Sequence, residues 1–241
     1  MTPNGSRCPT RLLLRKAADL LRPLADGAAA VVLAPICAAC RAPLDEPTRG
    51  AVCPACWSAI TPVTPLGCCS LPPAIALATA IGPYDGTLRA IVQALKYDGR
   101  PTLARHLAIR MRDAGAEVLA GADLVVPVPL HRSRERTRGF NQARELARHL
   151  GMPLAGALSR TRSTASQADL PAAKRNANVR GAFTWRADVT VDGAIVVLVD
   201  DVVTTGATLN ACAAPLLDAG ATEVRALTAA RAALRAGGGQ R

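Results

Sequence analysis

A run of aliphatic residues that ends in two aspartates constrains the fold of this chain more than any other stretch. Residues 194–199, AIVVLV, are followed by Asp200 and Asp201 and then by the hydroxyl-rich turn VTTGAT at 203–208. An uninterrupted aliphatic run is typical of a parallel strand that is buried on both faces. Ligands of open parallel sheets lie beyond the carboxyl ends of such strands. The stretch therefore predicts an interior strand whose end carries a ligand site.

The turn that follows the aspartates predicts an anion site beside them. Residues from about 207 to 219 are expected to form a helix, with a kink at Pro215 and Gly220 as the C-terminal cap. Backbone N–H groups and the helix dipole attract phosphate at such a helix start, and carboxylates accept hydrogen bonds from sugar hydroxyls. Helix capping alone explains Thr204 or Thr205, but it does not explain two adjacent carboxylates at a buried strand end. The pattern favours a phosphorylated sugar as the ligand.

Strand and helix patterns alternate along the chain from about residue 74. Strands are predicted at 74–81, 123–130 and 223–230, and helices at 86–97, 102–119 and 141–151. This alternation predicts an α/β fold in which helices cover both faces of a parallel sheet. The composition agrees, because half of the 241 residues are hydrophobic but only 2% are aromatic. A core of alanine, valine and leucine suits such a fold better than a β-sandwich.

Four of the eight cysteines form two C-x-x-C pairs, Cys37 with Cys40 and Cys53 with Cys56. This spacing is typical of a structural Zn²⁺ site in a reducing compartment. The loop between the pairs is too short to bury a core, so a metal ion is expected to fold it. A redox pair or incidental thiols are the alternative. The remaining cysteines predict no second metal site: Cys8 and Cys212 are isolated, and Cys68 and Cys69 are adjacent, which makes a poor half-site.

Shifts in composition divide the chain into four parts. These are an N-terminal extension with one amphipathic helix (1–35), a small zinc-ribbon module (36–73), the α/β domain (74–232) and a loose tail (233–241). Charges interrupt the apolar part of the extension, and its uncharged run is too short to span a bilayer. A cytoplasmic protein without a membrane span is expected.

Several stretches resemble known families. VLVDDVVTTGATL (197–209) resembles the phosphoribosyl-pyrophosphate (PRPP) motif of type I phosphoribosyltransferases. LKYDGR (95–100), VPVPLHRSRERTRGFNQ (126–142) and RTRSTASQADLPAAKRNANVRGAF (160–183) resemble the ComF family, named for late competence and DNA uptake. The resemblance covers about residues 75–230. It implies a type I phosphoribosyltransferase fold behind a zinc ribbon, with PRPP as ligand, Mg²⁺ accompanying PRPP and Zn²⁺ in a structural role.

The resemblance also implies roles for individual residues. Asp200 and Asp201 would hold the ribose hydroxyls, and Thr204, Thr205, Gly206, Ala207 and Thr208 would hold the 5-phosphate. The turn Val126, Pro127, Val128 and Pro129 falls where such enzymes place a pyrophosphate loop. Segment 160–180 falls where they carry a mobile lid, whose Arg160, Arg162, Thr164, Gln167, Lys174 and Arg175 would close over the pyrophosphate.

A basic stretch follows the proposed pyrophosphate loop, with Arg132, Arg134, Arg136 and Arg138 at every second position. In an extended conformation all four side chains would point the same way. Such a strip would bind pyrophosphate or the phosphates of single-stranded DNA, and a solvated loop is the alternative. The net charge of +11 and pI of about 10.0 favour anionic partners without choosing among them. The three histidines, His106, His131 and His149, are expected to be surface or hydrogen-bonded residues without a catalytic role.

Two functions remain open from the sequence. One is a PRPP-dependent phosphoribosyltransferase whose acceptor is not indicated, because nothing in the expected acceptor-binding hood at 75–100 is typical of purine or pyrimidine recognition. The other is a non-catalytic protein that binds PRPP or single-stranded DNA and acts with other DNA-uptake proteins.

Overall fold

The computed structural model describes residues 23, 26–27, 35–63, 71–98, 100, 102–162, 179 and 181–232. In chain order the elements are a 3-10 helix Pro47–Arg49, α1 Pro54–Ser58, β1 Ala78–Pro83, α2 Gly86–Tyr97, α3 Leu103–Ala114, α4 Ala116–Leu119, β2 Leu124–Pro127, α5 Arg132–Arg138, α6 Gln142–Arg148, β3 Leu158–Arg160, β4 Phe183–Trp185, β5 Ile195–Val203, α7 Ala207–Asp218 and β6 Glu223–Arg231.

Four parallel strands form the main sheet in the order β1-β6-β5-β2, so β5 lies in its interior as the aliphatic run predicts. Alternate residues of a strand face opposite sides of a sheet. Val197 and Val199 of β5 belong to the hydrophobic cluster that includes residues of α2, α3 and α6. Val196 and Leu198 belong to the cluster that includes residues of α7. The predicted α/β arrangement, with helices on both faces, is therefore confirmed.

The hydrophobic period predicts helix α2 with its observed bounds, but it misses a break in the next helix. A single helix was expected over 102–119, whereas α3 ends at Ala114 and α4 begins at Ala116. A Cβ atom at Gly115 would lie 2.6 Å from Leu227 Cδ1 and 2.8 Å from the carbonyl oxygen of Met111. Glycine at this position lets the end of α3 approach β6. None of the described helices is long and apolar enough to cross a bilayer.

The four strands of the main sheet all differ from their predicted bounds: β2 ends at Pro127 rather than at 130, and β6 ends one residue later than predicted. Strand β1 begins at Ala78 rather than at 74, although the N–H of Ala76 already donates to the carbonyl of Val224. Strand β5 was expected to end at 199 but continues to Val203, because β6 still pairs with it there. Its pairing with β2 stops at Pro127, opposite Val199. Asp200 and Asp201 thus lie where β5 still pairs with β6 but no longer pairs with β2.

A second sheet consists of the antiparallel pair β3 and β4, in which Arg160 lies opposite Phe183. This pairing brings together the two ends of the predicted lid. Several predictions lie outside the described residues. These are the N-terminal amphipathic helix, the tail at 233–241, Cys8, Cys68 and Cys69, and the lid residues Thr164, Gln167, Lys174 and Arg175.

The cysteine module packs against helix α3 with apolar side chains of its own. Leu44 and Val52 are buried in the same cluster as Leu103 and Leu107. The expectation that this segment buries no core is therefore wrong. The sequence could not show this contact, because the apolar surface that completes the core lies on a helix about 60 residues further along the chain.

Candidate functional site

A cavity of about 340 Å³ opens at the carboxyl ends of β2 and β5. Members of five predicted groups are among the residues that line it: Asp200 and Asp201, Thr204 and Thr208 of the phosphate turn, Val128 and Pro129 of the pyrophosphate turn, Arg134 and Arg138 of the basic stretch, and Arg160 of the lid. A larger cavity, of about 520 Å³, lies between the cysteine module and α3 and contains none of these residues. The chemistry predicted from the sequence therefore converges on the smaller one.

Asp200 is a partly buried carboxylate next to a second one. The N–H of Asp201 donates to Oδ1 of Asp200 at 2.8 Å. Burial raises the pKa of Asp200 to about 7 and the charge of Asp201 raises it as well, against the opposing effects of the Asp201 N–H, Lys96 and Arg160. The electrostatic penalty expected of adjacent carboxylates is present in the structure.

Lys96 of helix α2 forms an ion pair with Asp201 that the sequence did not predict. Lys96 Nζ lies 2.9 Å from Asp201 Oδ1, and the two side chains are only 15% and 13% exposed. Burial alone would lower the pKa of Lys96, but the carboxylates of Asp201 and Asp200 raise it above its ordinary value. In the sequence, Lys96 lies in LKYDGR (95–100), which is one of the stretches that resemble the ComF family. The resemblance gave this lysine no role.

The phosphate turn divides between two cavities. Thr204 and Thr208 line the 340 Å³ cavity, whereas Thr205, Gly206 and Ala207 line a separate one of about 520 Å³ beside Pro72 and Pro73. Thr205 Oγ1 accepts a hydrogen bond from the N–H of Ala207 at 3.4 Å, but the N-cap of α7 is Gly206, which has no side-chain cap.

Gly206 has a positive φ of 74°, and a Cβ atom there would collide with the ring of Pro72. The turn therefore requires glycine. Helix α7, which follows, continues through Pro215 to Asp218.

The four arginines of the basic stretch do not form an extended strip, because residues 132–138 are helix α5. Residues two apart on a helix do not face each other, whereas residues four apart do. Arg134 and Arg138 are half-buried and line the cavity, whereas Arg132 and Arg136 are exposed. The prediction of one common direction is wrong, because the spacing of charges does not determine secondary structure.

The proposed pyrophosphate turn is held by neighbouring groups. Val128 donates its N–H to the carbonyl of Val199 at 2.9 Å, and Asn141 Nδ2 donates to the carbonyl of Val128 at 3.0 Å. Of the four predicted residues, only Val128 and Pro129 line the cavity. Val126 is buried in the core, and Pro127 lines an adjoining cavity of about 510 Å³.

Two basic residues of the predicted lid are described, and only one of them lines the cavity. Arg160 lines the cavity, and its guanidinium lies 5.2 Å from the ring of Phe183. Burial lowers the pKa of Arg160, and the positive charge of Arg134 lowers it too. Arg162 is exposed and does not line the cavity.

The four cysteines of the two C-x-x-C pairs converge as the sequence predicts. The Sγ atoms of Cys37, Cys40, Cys53 and Cys56 all lie within 4.8 Å of one another, an arrangement that can hold a metal ion. Burial opposes ionisation of Cys37, but N–H groups, first that of Cys53, lower its pKa to about 6. Burial raises the pKa of Cys56. Cys212 is a buried core residue of α7, as expected.

The histidines lie outside the cavity, and one of them differs from expectation. His131 caps α5 by accepting a hydrogen bond from the N–H of Ser133, and His149 is exposed. His106 lies at the contact between the cysteine module and α3, where its buried Nδ1 has no hydrogen-bond partner among the described residues. The expectation of a surface or hydrogen-bonded histidine is therefore wrong at this nitrogen.

Comparison with known proteins gives consistent matches. Residues 136–237 match the phosphoribosyl transferase domain. The DNA utilization protein YhgH of Salmonella typhimurium is 34% identical over 205 residues, covering 79% of this chain and 87% of that protein. Competence protein F of Haemophilus influenzae is 35% identical over 163 residues, covering 63% and 71%. Among solved structures, glutamine PRPP amidotransferase from B. subtilis is 28% identical over 53% of this chain and 25% of its own, with a TM-score of 0.33.

Proposed function

Since the chain belongs to the family of DNA utilization protein YhgH and competence protein F, and carries a phosphoribosyl transferase domain, we propose that its cavity binds PRPP and transfers the phosphoribosyl group to an acceptor. One observation carries the proposal. Two carboxylates, one threonine before helix α7, one threonine in its first turn and three arginines line the same 340 Å³ cavity at the carboxyl edge of a parallel sheet. Acceptors for sugar hydroxyls and donors for phosphates thus lie within the span of one small ligand.

In this proposal each group performs a separate task. Asp200 and Asp201 accept hydrogen bonds from the ribose hydroxyls, and the turn at 204–208 holds the 5-phosphate at the start of α7. Arg134, Arg138 and Arg160 stabilise the negative charge of the departing pyrophosphate. Asp200 and Asp201 are the carboxylates that could hold the Mg²⁺ of PRPP, and the ion would supply further charge neutralisation. The lid residues Thr164, Gln167, Arg162, Lys174 and Arg175 are assigned to closure over the pyrophosphate on their sequence alone.

The ion pair between Lys96 and Asp201 implies an exchange of partners on binding. In the structure, the ammonium group neutralises a carboxylate that would otherwise be buried unpaired. Hydrogen bonds from the ribose, together with the cation that accompanies PRPP, would take over this task. The ligand would therefore compete with Lys96 for the carboxylate.

We assign the cysteine cluster to one structural Zn²⁺ in a zinc-ribbon module at 36–73, ahead of a transferase domain at 74–232. A tetrahedral site with Zn–S bonds of about 2.3 Å requires sulfur atoms about 3.8 Å apart. The Sγ atoms of Cys40 and Cys53 are separated by 3.8 Å. Cysteines that bind metal rather than form disulfides are typical of a reducing compartment, which supports a cytoplasmic location.

Removing both carboxylates tests the PRPP site. In Asp200→Asn plus Asp201→Asn, PRPP affinity should fall at least a hundredfold, because each hydrogen bond to a charged group contributes roughly 1.5–3 kcal/mol. Isothermal titration calorimetry with Mg²⁺ and PRPP measures this change. The matched control is Asp113→Asn plus Asp218→Asn, which removes the same charge from exposed positions outside the cavity. Near-normal affinity in the Asp200 and Asp201 variant, or equal losses in both variants, would remove the assignment.

A second candidate function, binding of single-stranded DNA, is favoured by the outer face of α5. Arg132 lines the adjoining 510 Å³ cavity together with Arg144 and Arg186, and Arg160 borders both cavities. This arrangement extends the positive charge of the PRPP cavity into a longer basic surface. Strand phosphates would be bound electrostatically without base recognition.

The two faces of α5 separate the two functions. Arg134→Gln plus Arg138→Gln should weaken PRPP binding about tenfold or more, since both side chains line the cavity. Arg132→Gln plus Arg136→Gln should leave PRPP affinity within about threefold, while the slope of log DNA affinity against log salt flattens by about one to one and a half units. Calorimetry with PRPP and a salt-titrated binding assay with single-stranded DNA measure the two effects. If Arg132→Gln plus Arg136→Gln changes the affinity for PRPP but not the salt dependence of DNA binding, the DNA function is rejected.

A further inference from the structure

Gln142 is a buried polar residue that the proposed site has not yet used. It lies at the start of α6, is only 1% exposed and lines the 340 Å³ cavity. Its amide nitrogen, Nε2, has no hydrogen-bond partner among the described residues. Buried amide groups are nearly always hydrogen-bonded, because an unpaired donor has lost its hydration without compensation. A donor left unpaired at the wall of a binding cavity indicates a missing acceptor.

The neighbouring turn has few donors to offer an anion. Pro127 and Pro129 have no N–H groups, and the N–H of Val128 is already bonded to the carbonyl of Val199. The turn that the sequence assigns to pyrophosphate therefore has no free backbone N–H at positions 127–129. A pyrophosphate bound beside positions 127–129 finds no backbone donor there, so side chains have to supply part of its hydrogen bonds.

Helix α6 places the amide of Gln142 next to this turn. The preceding residue, Asn141, donates from Nδ2 to the carbonyl of Val128 and so fixes the start of the helix to the turn. Gln142, Val128 and Pro129 line the same cavity. The last torsion of a glutamine side chain is broad, so rotation of the terminal amide can direct its NH₂ group at a ligand without moving the helix.

We propose that Gln142 is a pyrophosphate-binding residue that donates its side-chain amide to a phosphate oxygen of PRPP, replacing the backbone donors that the proline-rich turn lacks. This assignment rests on the proposed PRPP site and adds to it a recognition element for the pyrophosphate. The arginines of the cavity supply charge, whereas the glutamine supplies a neutral donor whose amide can turn toward the phosphate oxygen. Its contribution should therefore be confined to ligands that carry the pyrophosphate.

The test compares three ligands and three variants by calorimetry in the presence of Mg²⁺. The ligands are PRPP, inorganic pyrophosphate and ribose 5-phosphate. Gln142→Met keeps an unbranched side chain of similar volume and removes the donor. Gln142→Glu keeps the shape and brings a negative charge to the pyrophosphate. Gln93→Met, at an exposed position of α2 away from the cavity, controls for the replacement itself.

In Gln142→Met the affinities for PRPP and pyrophosphate should fall about tenfold or more, the loss expected for one hydrogen bond to a charged group. The affinity for ribose 5-phosphate should stay within about twofold. The melting temperature should be unchanged or higher, because a buried unpaired donor is removed. Gln142→Glu should lose more pyrophosphate affinity than Gln142→Met, and Gln93→Met should behave as the wild type.

Several results would overturn the assignment. Equal losses for all three ligands with a lowered melting temperature would make Gln142 a structural residue. Wild-type PRPP affinity in both Gln142 variants would also reject it, while leaving the PRPP site intact. If the unmodified protein binds none of the three ligands, the proposed function itself fails, and that result is distinct from the other two.

Discussion

The carboxylate pair and the cysteine cluster are two polar sites that the molecule holds together in different ways. Asp200 and Asp201 lie on a nine-residue strand that pairs with β6 as far as Val203. In the described part of the cysteine module, residues 35–63, the regular structure is a three-residue 3-10 helix, the five-residue α1 and one isolated bridge between Ile36 and Pro43. The sheet positions the carboxylates, whereas the proposed Zn²⁺ would hold the four thiols together.

This difference affects what each site contributes to stability. A carboxylate fixed by a sheet can remain in an unfavourable environment, as the raised pKa of Asp200 indicates. A cluster of thiols gains its stability from the metal it binds, because metal binding in such modules is coupled to folding. Removal of the metal should therefore destabilise the cysteine module. Replacement of the Asp200 carboxylate should instead stabilise the folded protein.

The largest expected effect is the loss of metal from the cysteine cluster. Elemental analysis of the protein purified without added metal should find one Zn²⁺ per chain. Chelation, or Cys37→Ser, should lower the free energy of unfolding by at least about 3 kcal/mol. This loss is smaller than the roughly 10–16 kcal/mol by which Zn²⁺ stabilises isolated zinc-finger peptides. The packing of Leu44 and Val52 in the same core as α3 should keep part of the module folded without the metal. Calorimetric melting measures the change.

Cys68→Ser is the matched control for the metal experiment, since Cys68 is not expected to bind metal. Its melting temperature and zinc content should equal those of the wild type. PRPP affinity should stay within about threefold in Cys37→Ser, because the carboxylates are positioned by the sheet. An unchanged melting temperature after complete metal removal would contradict the distinction between the two sites, and a ratio of two Zn²⁺ per chain would bring Cys68 and Cys69 into a second site.

A smaller effect, of opposite sign, is expected from Asp200. Its pKa is raised in the folded protein, so its contribution to stability is present below its ordinary pKa of about 3.9 and is lost as the pH rises through about 7. At pH 8 Asp200→Asn should be more stable than the wild type by about 1–3 kcal/mol, because a pKa shift of one unit between the unfolded and the folded protein corresponds to about 1.4 kcal/mol. The advantage should shrink between pH 7 and pH 5. Urea unfolding at several pH values measures the difference, with the exposed Asp113→Asn as control. A less stable Asp200→Asn protein at pH 8 would show that its neighbours stabilise the ionised carboxylate, contrary to this prediction.

Hydrophobic patterns predicted the interior of the fold well. The aliphatic run of β5 and the period of α2 depend on burial, which dominates the choice of secondary structure. The arginines at 132–138 gave a wrong prediction, because the spacing of charged residues is compatible with either a strand or a helix. The N-cap at His131 was the local signal for a helix there, and its Nδ1 does accept a hydrogen bond from the N–H of Ser133.

The candidate site was predictable only in part. Local sequence placed the carboxylates and the turn, because both follow directly from one strand and one helix. The pairing of Lys96 with Asp201 and the unpaired amide of Gln142 depend on how α2 and α6 pack around the sheet, and no local pattern encodes those contacts. The contact between the cysteine module and α3 was missed for the same reason.

A crystal structure of the protein with bound PRPP and Mg²⁺ tests the central claim most directly. We expect density for the ligand in the 340 Å³ cavity, with the ribose hydroxyls within hydrogen-bonding distance of Asp200 and Asp201 and with Lys96 moved away from Asp201. An intact ion pair between Lys96 and Asp201 beside an empty cavity at saturating PRPP would contradict it, as would ligand density at another surface.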